Sequence, residues 1–189
     1  ELSHAGDVFQ TAEEHQFCEA QCGQRQPPVI DMWRASAGGR LAAGVGSDGK
    51  IVVVTATDGL ILAFDASTGK NRWKAQASSE VLSAPAVGRG VVVLRSLDNR
   101  IIALEAETGA RRWFVQRPAP SLALRAAPGI LIADDYAYVA LPAGRLIALA
   151  LTNGGTRWET AIVEPRGATE LERVVDVSGT PVIEERDIC

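Results

Sequence analysis

Residues 63–73 read AFDASTGKNRW, and the phrase returns as ALEAETGARRW at 103–113 and as ALALTNGGTRW at 148–158. Each copy ends in tryptophan, and one more tryptophan precedes the first copy at a similar distance. The four tryptophans stand 40, 40 and 45 residues apart, at Trp33, Trp73, Trp113 and Trp158. A period of this length indicates an array of similar supersecondary units.

The repeated phrase has the features of a β-hairpin. Leu60–Phe64 is an apolar run of the length of a buried strand, and Asp or Glu and Thr then supply oxygens for the backbone of a turn. Gly69, Gly109 and Gly154 provide the positive φ that such a turn needs. Two further strands precede each hairpin. We predict second strands at 51–55, 91–95 and 136–140, and innermost strands at 42–45, 84–87 and 127–132.

Four short strands with one aromatic anchor per unit are typical of β-propeller blades. The sequence therefore predicts an all-β fold of four-stranded antiparallel blades, with about three complete blades in this chain. A solenoid of helices would instead show apolar residues at a spacing of 3.6. We expect each tryptophan to lie between adjacent blades, where its ring fills space left by the small Ala of the preceding strand.

The two ends of the chain depart from the repeat. Residues 1–32 are interpreted as an irregular or degraded N-terminal blade, although Gly6–Phe9 looks like the start of a blade strand. Residues 33–189 form the propeller, and Gly179 opens a last blade that is truncated. Three units do not close a propeller, so we expect a fragment or covered edge strands.

Composition excludes several classes of function. The chain has 47% hydrophobic residues and a formal net charge of −4, without a basic block suited to nucleic acid. No apolar window is long enough for a transmembrane helix, and no export signal is readable at the N-terminus. Three cysteines do not make a disulfide framework.

The connections between successive blades lengthen along the chain. The next innermost strands begin 10, 12, 15 and 23 residues after the preceding tryptophan, at Ala43, Pro85, Pro128 and Pro181. In an up-and-down blade these connections emerge at one rim, so 118–125 and 163–176 should be neighbours. Long loops on a rigid scaffold usually carry function, which makes this rim the candidate binding surface.

The side chains of these loops suit protein binding. Two leucines beside an arginine combine apolar burial with a forked donor, a common interface chemistry. The alternative is that the leucines turn inward to pack the loop and the arginine is solvated. The predicted partner-binding residues are Leu122, Leu124, Arg125, Arg173 and Asp176.

The repeat Ala-x-Asp-x-x-Thr-Gly-x-x-x-Trp resembles that of the quinoprotein-type (PQQ-like) propellers. Two further segments, SLALR at 121–125 and EPRGATELERVVDVSGTPVI at 164–183, resemble the BamB family of the outer-membrane β-barrel assembly machinery. The resemblance covers about residues 33–183. It implies an eight-bladed, lipid-anchored propeller at the periplasmic face of the outer membrane of a Gram-negative bacterium, which binds the POTRA region of BamA.

The resemblance assigns the BamA contacts to Leu122, Leu124, Arg125 and Asp176. Two departures accompany it. Ser178 stands where many members have a second acid, which weakens the negative side of the surface, and the lipid-bearing cysteine is absent from this sequence. Membrane attachment is therefore expected only through an anchor outside this sequence.

The same repeat type occurs in dehydrogenases that bind pyrroloquinoline quinone and calcium, and this is the alternative function. Calcium requires several converging oxygens, whereas Asp65 and Glu105 are predicted to lie in hairpin turns and the third copy has Ala150. No adjacent cysteine pair is present. We therefore predict a non-enzymatic protein without a cofactor.

Other candidate sites are weaker. His15, Cys18 and Cys22 have a spacing that zinc accepts, but they lack a convincing fourth ligand, and Cys189 is distant in sequence. We therefore expect no metal site. Both histidines lie within the first 15 residues, so no catalytic triad is available inside the repeats.

Overall fold

Every regular element described in the protein is a β-strand. A computed structural model describes residues 7–11, 31–118, 128–163, 179, 181–184 and 187–188. Within this part of the chain, there is no helix of the length and hydropathy that crossing a bilayer requires. The predicted all-β fold is confirmed.

The described elements begin and end with two-stranded pairs. The strand β1 (Asp7–Thr11) pairs antiparallel with β2 (Asp31–Ser36), with a register shift at Gln10. Between these pairs lie three four-stranded antiparallel sheets, which are called blades A, B and C. Near the end of the sequence, β15 (Ile183–Glu184) pairs with β16 (Asp187–Ile188).

Each blade is an up-and-down meander in which sequence order equals spatial order. Blade A comprises β3 (Gly46–Ser47), β4 (Ile51–Thr55), β5 (Leu60–Asp65) and β6 (Asn71–Gln76). Blade B comprises β7 (Ala86–Gly88), β8 (Val91–Arg95), β9 (Arg100–Glu105) and β10 (Arg111–Gln116). Blade C comprises β11 (Ile130–Ala133), β12 (Tyr136–Leu141), β13 (Arg145–Ala150) and β14 (Thr156–Ala161).

The core lies between the blades, because each middle strand is buried on both faces. In blade B, Val92 and Leu94 pack toward blade A, whereas Val91 and Val93 pack toward blade C. Burial on both faces explains why these strands are continuous apolar runs instead of alternating ones. The second strands begin where the sequence predicts, and only β12 extends one residue further, to Leu141.

The innermost strands begin later than predicted. We expected them at 42–45, 84–87 and 127–132, but the structure has β3, β7 and β11 starting at 46, 86 and 130. Pro85 and Pro128 lack the N–H that a ladder needs, so pairing starts after them. Leu41 and Val81 instead form isolated bridges with Ala56 and Ser96. The innermost strand is thus joined to its neighbour at two separate points.

The tryptophans join each blade to the one that follows. The indole Nε1 of Trp73 donates a hydrogen bond of 2.8 Å to the carbonyl of Ala106 in blade B. Trp33 and Trp113 do the same with Ala66 and Leu151, also at 2.8 Å. The expected position between blades is confirmed, and the indole contact reaches the turn of the next blade.

The small alanine opposite each tryptophan is confirmed as well. The register pairs Trp with the Ala of the preceding strand in all three blades. These pairs are Ala63 with Trp73, Ala103 with Trp113, and Ala148 with Trp158. Trp158 has no described blade after it and is 37% exposed, whereas Trp113 is 8% exposed. The ring of Trp158 packs instead on Tyr138, with centroids 5.8 Å apart.

The turn glycines serve two purposes. Gly69, Gly109 and Gly154 have φ of 68°, 71° and 71°, as the hairpin phrase predicts. A Cβ atom on Gly109 would also lie 2.6 Å from the ring of Trp73, which is closer than atoms can approach. Glycine is therefore required both by the turn and by the indole that lies on it.

The acid of the phrase holds its own turn. The carboxylate of Asp65 accepts hydrogen bonds from the hydroxyls of Ser67 and Thr68 at 2.6 and 3.0 Å, and from both of their backbone N–H groups. These bonds favour the charged form and lower the pKa of Asp65 to about 2. The turn is therefore stabilised by an ionised carboxylate.

The variant Asp65→Asn should be less stable than the native chain at neutral pH. Because the folded-state pKa is depressed, the stabilisation is complete above the ordinary pKa of Asp and is lost as the pH falls through about 2. The difference in free energy of unfolding should therefore shrink below about pH 4. Urea titrations of both proteins across this pH range test the prediction, and a difference that does not change with pH would contradict it.

Candidate partner-binding rim

The meander separates two kinds of connection onto opposite rims of the described blades. The hairpins between second and third strands share one rim with the connections from each outer strand to the next innermost strand. We call this the loop rim. The hairpins between third and fourth strands, where the tryptophans join neighbouring blades, lie on the opposite rim, called the turn rim. By this topology, both long connections leave blades B and C at the loop rim.

Backbone hydrogen bonds tie each connection to the hairpin beside it on the loop rim. Ala77 N–H donates to the carbonyl of Gly59 at 2.9 Å, and Arg117 N–H donates to that of Asn99 at 3.1 Å. Ile162 N–H donates to the carbonyl of Gly144 at 2.8 Å. Each connection therefore leaves the sheet from a fixed point.

The five residues predicted to bind a partner lie outside the described residues. They are Leu122, Leu124, Arg125, Arg173 and Asp176. The structure describes the ends of the two connections that carry them. Gly129, after the first connection, donates its N–H to the carbonyl of Gly179, after the second, at 3.0 Å. The two connections therefore return to the blades at adjacent positions.

Asn99 fixes the start of the first connection. Its side-chain amide is buried and donates to the carbonyl of Pro118 at 3.2 Å. The backbone carbonyl of Asn99 accepts a hydrogen bond from the backbone N–H of Arg117. It adopts a φ of 60° at the turn position where blade A has Gly59. Sequence reasoning missed this residue, although Asn in place of a repeat glycine was a readable signal.

Side chains of β14, the outer strand of blade C, contact Arg117 at the start of the same connection. Arg117 donates to the hydroxyl of Thr156 at 2.8 Å, and its guanidinium lies 3.7 Å from a carboxylate oxygen of Glu159. Glu159 also accepts from Arg145 at 2.6 Å. Two cations sharing one carboxylate link the end of blade B to blade C.

Asp98 orders the central hairpin of the loop rim. Partial burial disfavours its charged form, but the hydroxyls of Ser96 and Ser78 outweigh this and hold its pKa below the usual value. The bond from the Ser96 hydroxyl is 2.5 Å, and the backbone N–H of Asp98 donates to the Ser79 hydroxyl at 3.2 Å. The hairpin at 96–99 is therefore fixed by several hydrogen bonds.

Apolar side chains are exposed where the two long connections leave the blades. Leu97 at the tip of the central hairpin is 49% exposed, and Ile162 and Val163 at the start of the second connection are also exposed. Sequence reasoning missed all three. The signal for Leu97 is its place at a turn position where blade A has Thr57.

The acids weighed for calcium binding lie in turns, as predicted. Asp65 bonds its own turn, and Glu105 pairs with Arg112 at 2.6 Å, which lowers the pKa of Glu105. Asp134 and Asp135 form the turn before β12. Among the described residues, no three His, Cys, Asp or Glu side chains are grouped to hold a metal ion. Outside those residues lie His15, Cys18, Cys22 and Cys189.

Comparison with known proteins gives relatives over most of the chain. Residues 31–189 match the family model for the outer membrane protein assembly factor BamB. A relative of that name from Bordetella pertussis is 47% identical over 84% of this chain and 41% of its own length. Another, from Nitrosomonas eutropha, is 36% identical over 84% of this chain and 39% of its own length.

Solved structures show the same architecture. The crystal structure of BamB from Moraxella catarrhalis aligns with a TM-score of 0.78 and 25% identity, covering 82% of this chain and 48% of that one. A europium-containing methanol dehydrogenase aligns with a TM-score of 0.58 and 17% identity, over 71% of this chain and 36% of that one, and so shares the fold alone. The chain spans about two fifths of the length of the two relatives described above. By its family-model match and its repeats, the chain belongs to the BamB family of outer membrane protein assembly factors.

Proposed function

We propose that these blades belong to a non-enzymatic scaffold that acts in outer-membrane protein assembly, at the periplasmic face of the outer membrane of a Gram-negative bacterium. Family membership supports this role, because the matching relatives are named outer membrane protein assembly factors. The proposal concerns the part of that activity carried by the blades in this chain.

The partner is the POTRA region of a BamA-like protein, bound through the two long connections of the loop rim. The observation that carries this proposal is the 3.0 Å hydrogen bond between Gly129 and Gly179, which brings the ends of both connections together. Residues from the two connections can then contact one partner at once. The contacts are Leu122, Leu124 and Arg125 from the first connection, and Arg173 and Asp176 from the second.

The chemistry of each contact follows from its side chain. Leu122 and Leu124 bury in an apolar groove of the partner, and Arg125 forms a forked ion pair with an acid. Asp176 provides the opposite charge on the neighbouring connection and pairs with a cation of the partner. Leu97 and Ile162, which are exposed on the same rim, add apolar area to this surface.

A fixed support lowers the cost of binding. Asn99 clamps the first connection at Arg117 and Pro118, and Glu159 braces Arg117 from blade C. A loop held at its base loses less conformational entropy when a partner orders it. The described bonds on this rim therefore favour recognition without a large rearrangement of the blades.

Replacing Arg125 by Glu should abolish detectable binding to an isolated POTRA region, a loss of about 2 kcal/mol or more. The change places a negative charge where the partner offers an acid. Isothermal titration calorimetry measures the affinity, and circular dichroism checks that the blades remain folded. The matched control is Lys50→Glu, the same charge reversal at an exposed position on the turn rim, which should leave the affinity unchanged. Equal affinities of the native chain and Arg125→Glu would refute this surface.

A further inference from the structure

A cationic groove lies between the outer strands of blades A and B. It has a volume of about 400 Å³, within the range of about 300–1,000 Å³ for clefts that bind ligands. Its lining includes the apolar residues Ile102, Leu104 and Ala75. Lys74 and Gln76 from β6 line one wall, and residues of β10 line the other. The groove lies on the outer flank of the blades and shares no lining residue with the contacts proposed above.

The charges of the groove have one sign. Lys74, Arg100 and Arg111 line it, and none of its described lining residues is an acid. Arg100 donates to the neutral side-chain oxygen of Gln116 at 3.1 Å, and it forms no ion pair with an acid in the part of the chain that the structure describes. Because the whole chain carries a formal net charge of −4, this concentration of cations is local.

An exposed aromatic ring lies between the two arginines. Phe114 is 49% exposed, and the guanidinium carbons of Arg100 and Arg111 lie 5.2 and 5.3 Å from its ring centroid. These contacts hold both cations over the ring at the mouth of the groove. A half-exposed aromatic flanked by arginines is a composition enriched at binding surfaces.

The equivalent position between blades B and C shows what the first groove lacks. The strand registers align Arg100 with Arg145 and Phe114 with Glu159. Glu159 accepts from Arg145 at 2.6 Å and lies 3.7 Å from Arg117, so that the cations there are neutralised within the chain. In the groove between blades A and B, the residue in the place of that carboxylate is a phenylalanine. Its cations are therefore available to a carboxylate from another molecule.

We propose that this groove binds an extended acidic segment of another polypeptide, with carboxylates on Lys74, Arg100 and Arg111 and an apolar side chain against Phe114. Charge complementarity selects an anionic occupant. The apolar lining residues favour a peptide, as do the strands β6 and β10, which are edge strands in the sheets that the structure describes. A phosphate group alone would satisfy the cations but would leave the apolar lining residues and the ring uncovered.

The test uses a fluorescent octapeptide of alternating Glu and Leu, with matched peptides in which Lys or Ser replaces Glu. Fluorescence anisotropy with the 189-residue chain should show saturable binding of the Glu peptide only, weakening between about 50 mM and about 500 mM salt as charges are screened. Vesicles of phosphatidylcholine with phosphatidylglycerol form a second arm. These vesicles report whether the groove instead recognises a lipid surface.

Phe114→Glu is the decisive variant, because it recreates the internal carboxylate of the next groove. It should weaken the Glu peptide by at least about tenfold, and Arg111→Gln should weaken it in the same direction. Lys50→Gln, which changes the net charge by the same amount away from the groove, should bind like the native chain. Because Phe114 is half-exposed on an edge strand, we expect Phe114→Glu to fold. Unfolding curves check that each variant is folded.

Four results overturn the proposal. The first is failure of the Glu peptide to bind, and the second is equal binding of the Glu and Ser peptides. The third is binding of the vesicles alone, which would assign the groove to a lipid surface. Unchanged peptide affinity in both folded variants would likewise move the binding site elsewhere on the chain.

Discussion

Replacing Trp113 by Ala should lower the free energy of unfolding by about 3–5 kcal/mol, the usual cost of emptying a buried aromatic site. Trp113 is 8% exposed, packs between blades B and C, and donates its indole N–H to the carbonyl of Leu151 at 2.8 Å. The substitution removes the ring that fills this space and leaves the buried carbonyl without its donor. Urea unfolding followed by circular dichroism measures the loss.

Two further variants separate packing from hydrogen bonding at this joint. Trp113→Phe keeps an aromatic ring but not the donor, so it should cost about 1–3 kcal/mol, less than the alanine variant. Trp158→Ala makes the same truncation at a ring that is 37% exposed, and it should cost less than Trp113→Ala. Equal losses at Trp113 and Trp158 would show that the contact with the following blade does not stabilise the fold.

Gly109→Ala should destabilise the chain by about 2–5 kcal/mol, because one methyl group violates two requirements. The φ of 71° costs a non-glycine residue roughly 1–2 kcal/mol. The added Cβ atom would also lie 2.6 Å from the Trp73 ring, so that the indole must move, and overpacking of this kind typically costs about 1–3 kcal/mol. Thermal and urea unfolding measure the combined loss in free energy of unfolding.

Gly90→Ala is the matched control for the steric part. Gly90 has a similar φ of 75° in a hairpin turn, but nothing lies within 4 Å of the position its Cβ atom would take. Its substitution should cost only the roughly 1–2 kcal/mol of the backbone conformation. If both variants lose the same free energy, the contact between Gly109 and Trp73 has no energetic importance.

The sequence was sufficient for the blades because the phrase that ends in tryptophan is local. The hairpin, its positive-φ glycine and the second strand are all encoded within a few residues, and strands such as β4 and β8 begin and end as predicted. The start of β3 is different, because no proline precedes it and it lies against the neighbouring blade. A Cβ atom on Gly46 would meet the carbonyl oxygen of Pro85, a contact across blades that no local pattern reveals.

The second role of the turn glycines was hidden for the same reason. The ring that lies on Gly109 belongs to Trp73, in the preceding blade. Local turn chemistry accounted fully for the glycine, so nothing in the phrase pointed to a second constraint. Only the packing of consecutive blades shows that the two most regular residues of the repeat are in contact.

The position of the candidate site is a prediction that rests on topology. Strand order and connection length predict two long loops on one rim, and the hydrogen bond between Gly129 and Gly179 supports this prediction at the ends of the loops. The orientation of Leu122 and Arg125 depends on loop conformation, which the repeat does not encode, and these residues remain predictions. Leu97 was overlooked because single exposed leucines are common on protein surfaces.

Because the indole contacts between consecutive blades lie at one end of the sheets, they do not depend on the length of the connections at the opposite end. The five-residue turns at 66–70, 106–110 and 151–155 keep a constant length, whereas the connections at 77–85 and 117–129 differ. Insertions can therefore accumulate at the second end without loosening neighbouring sheets. The binding surface can therefore change while the packing between blades is kept. The end with variable connections is the place to graft new binding segments.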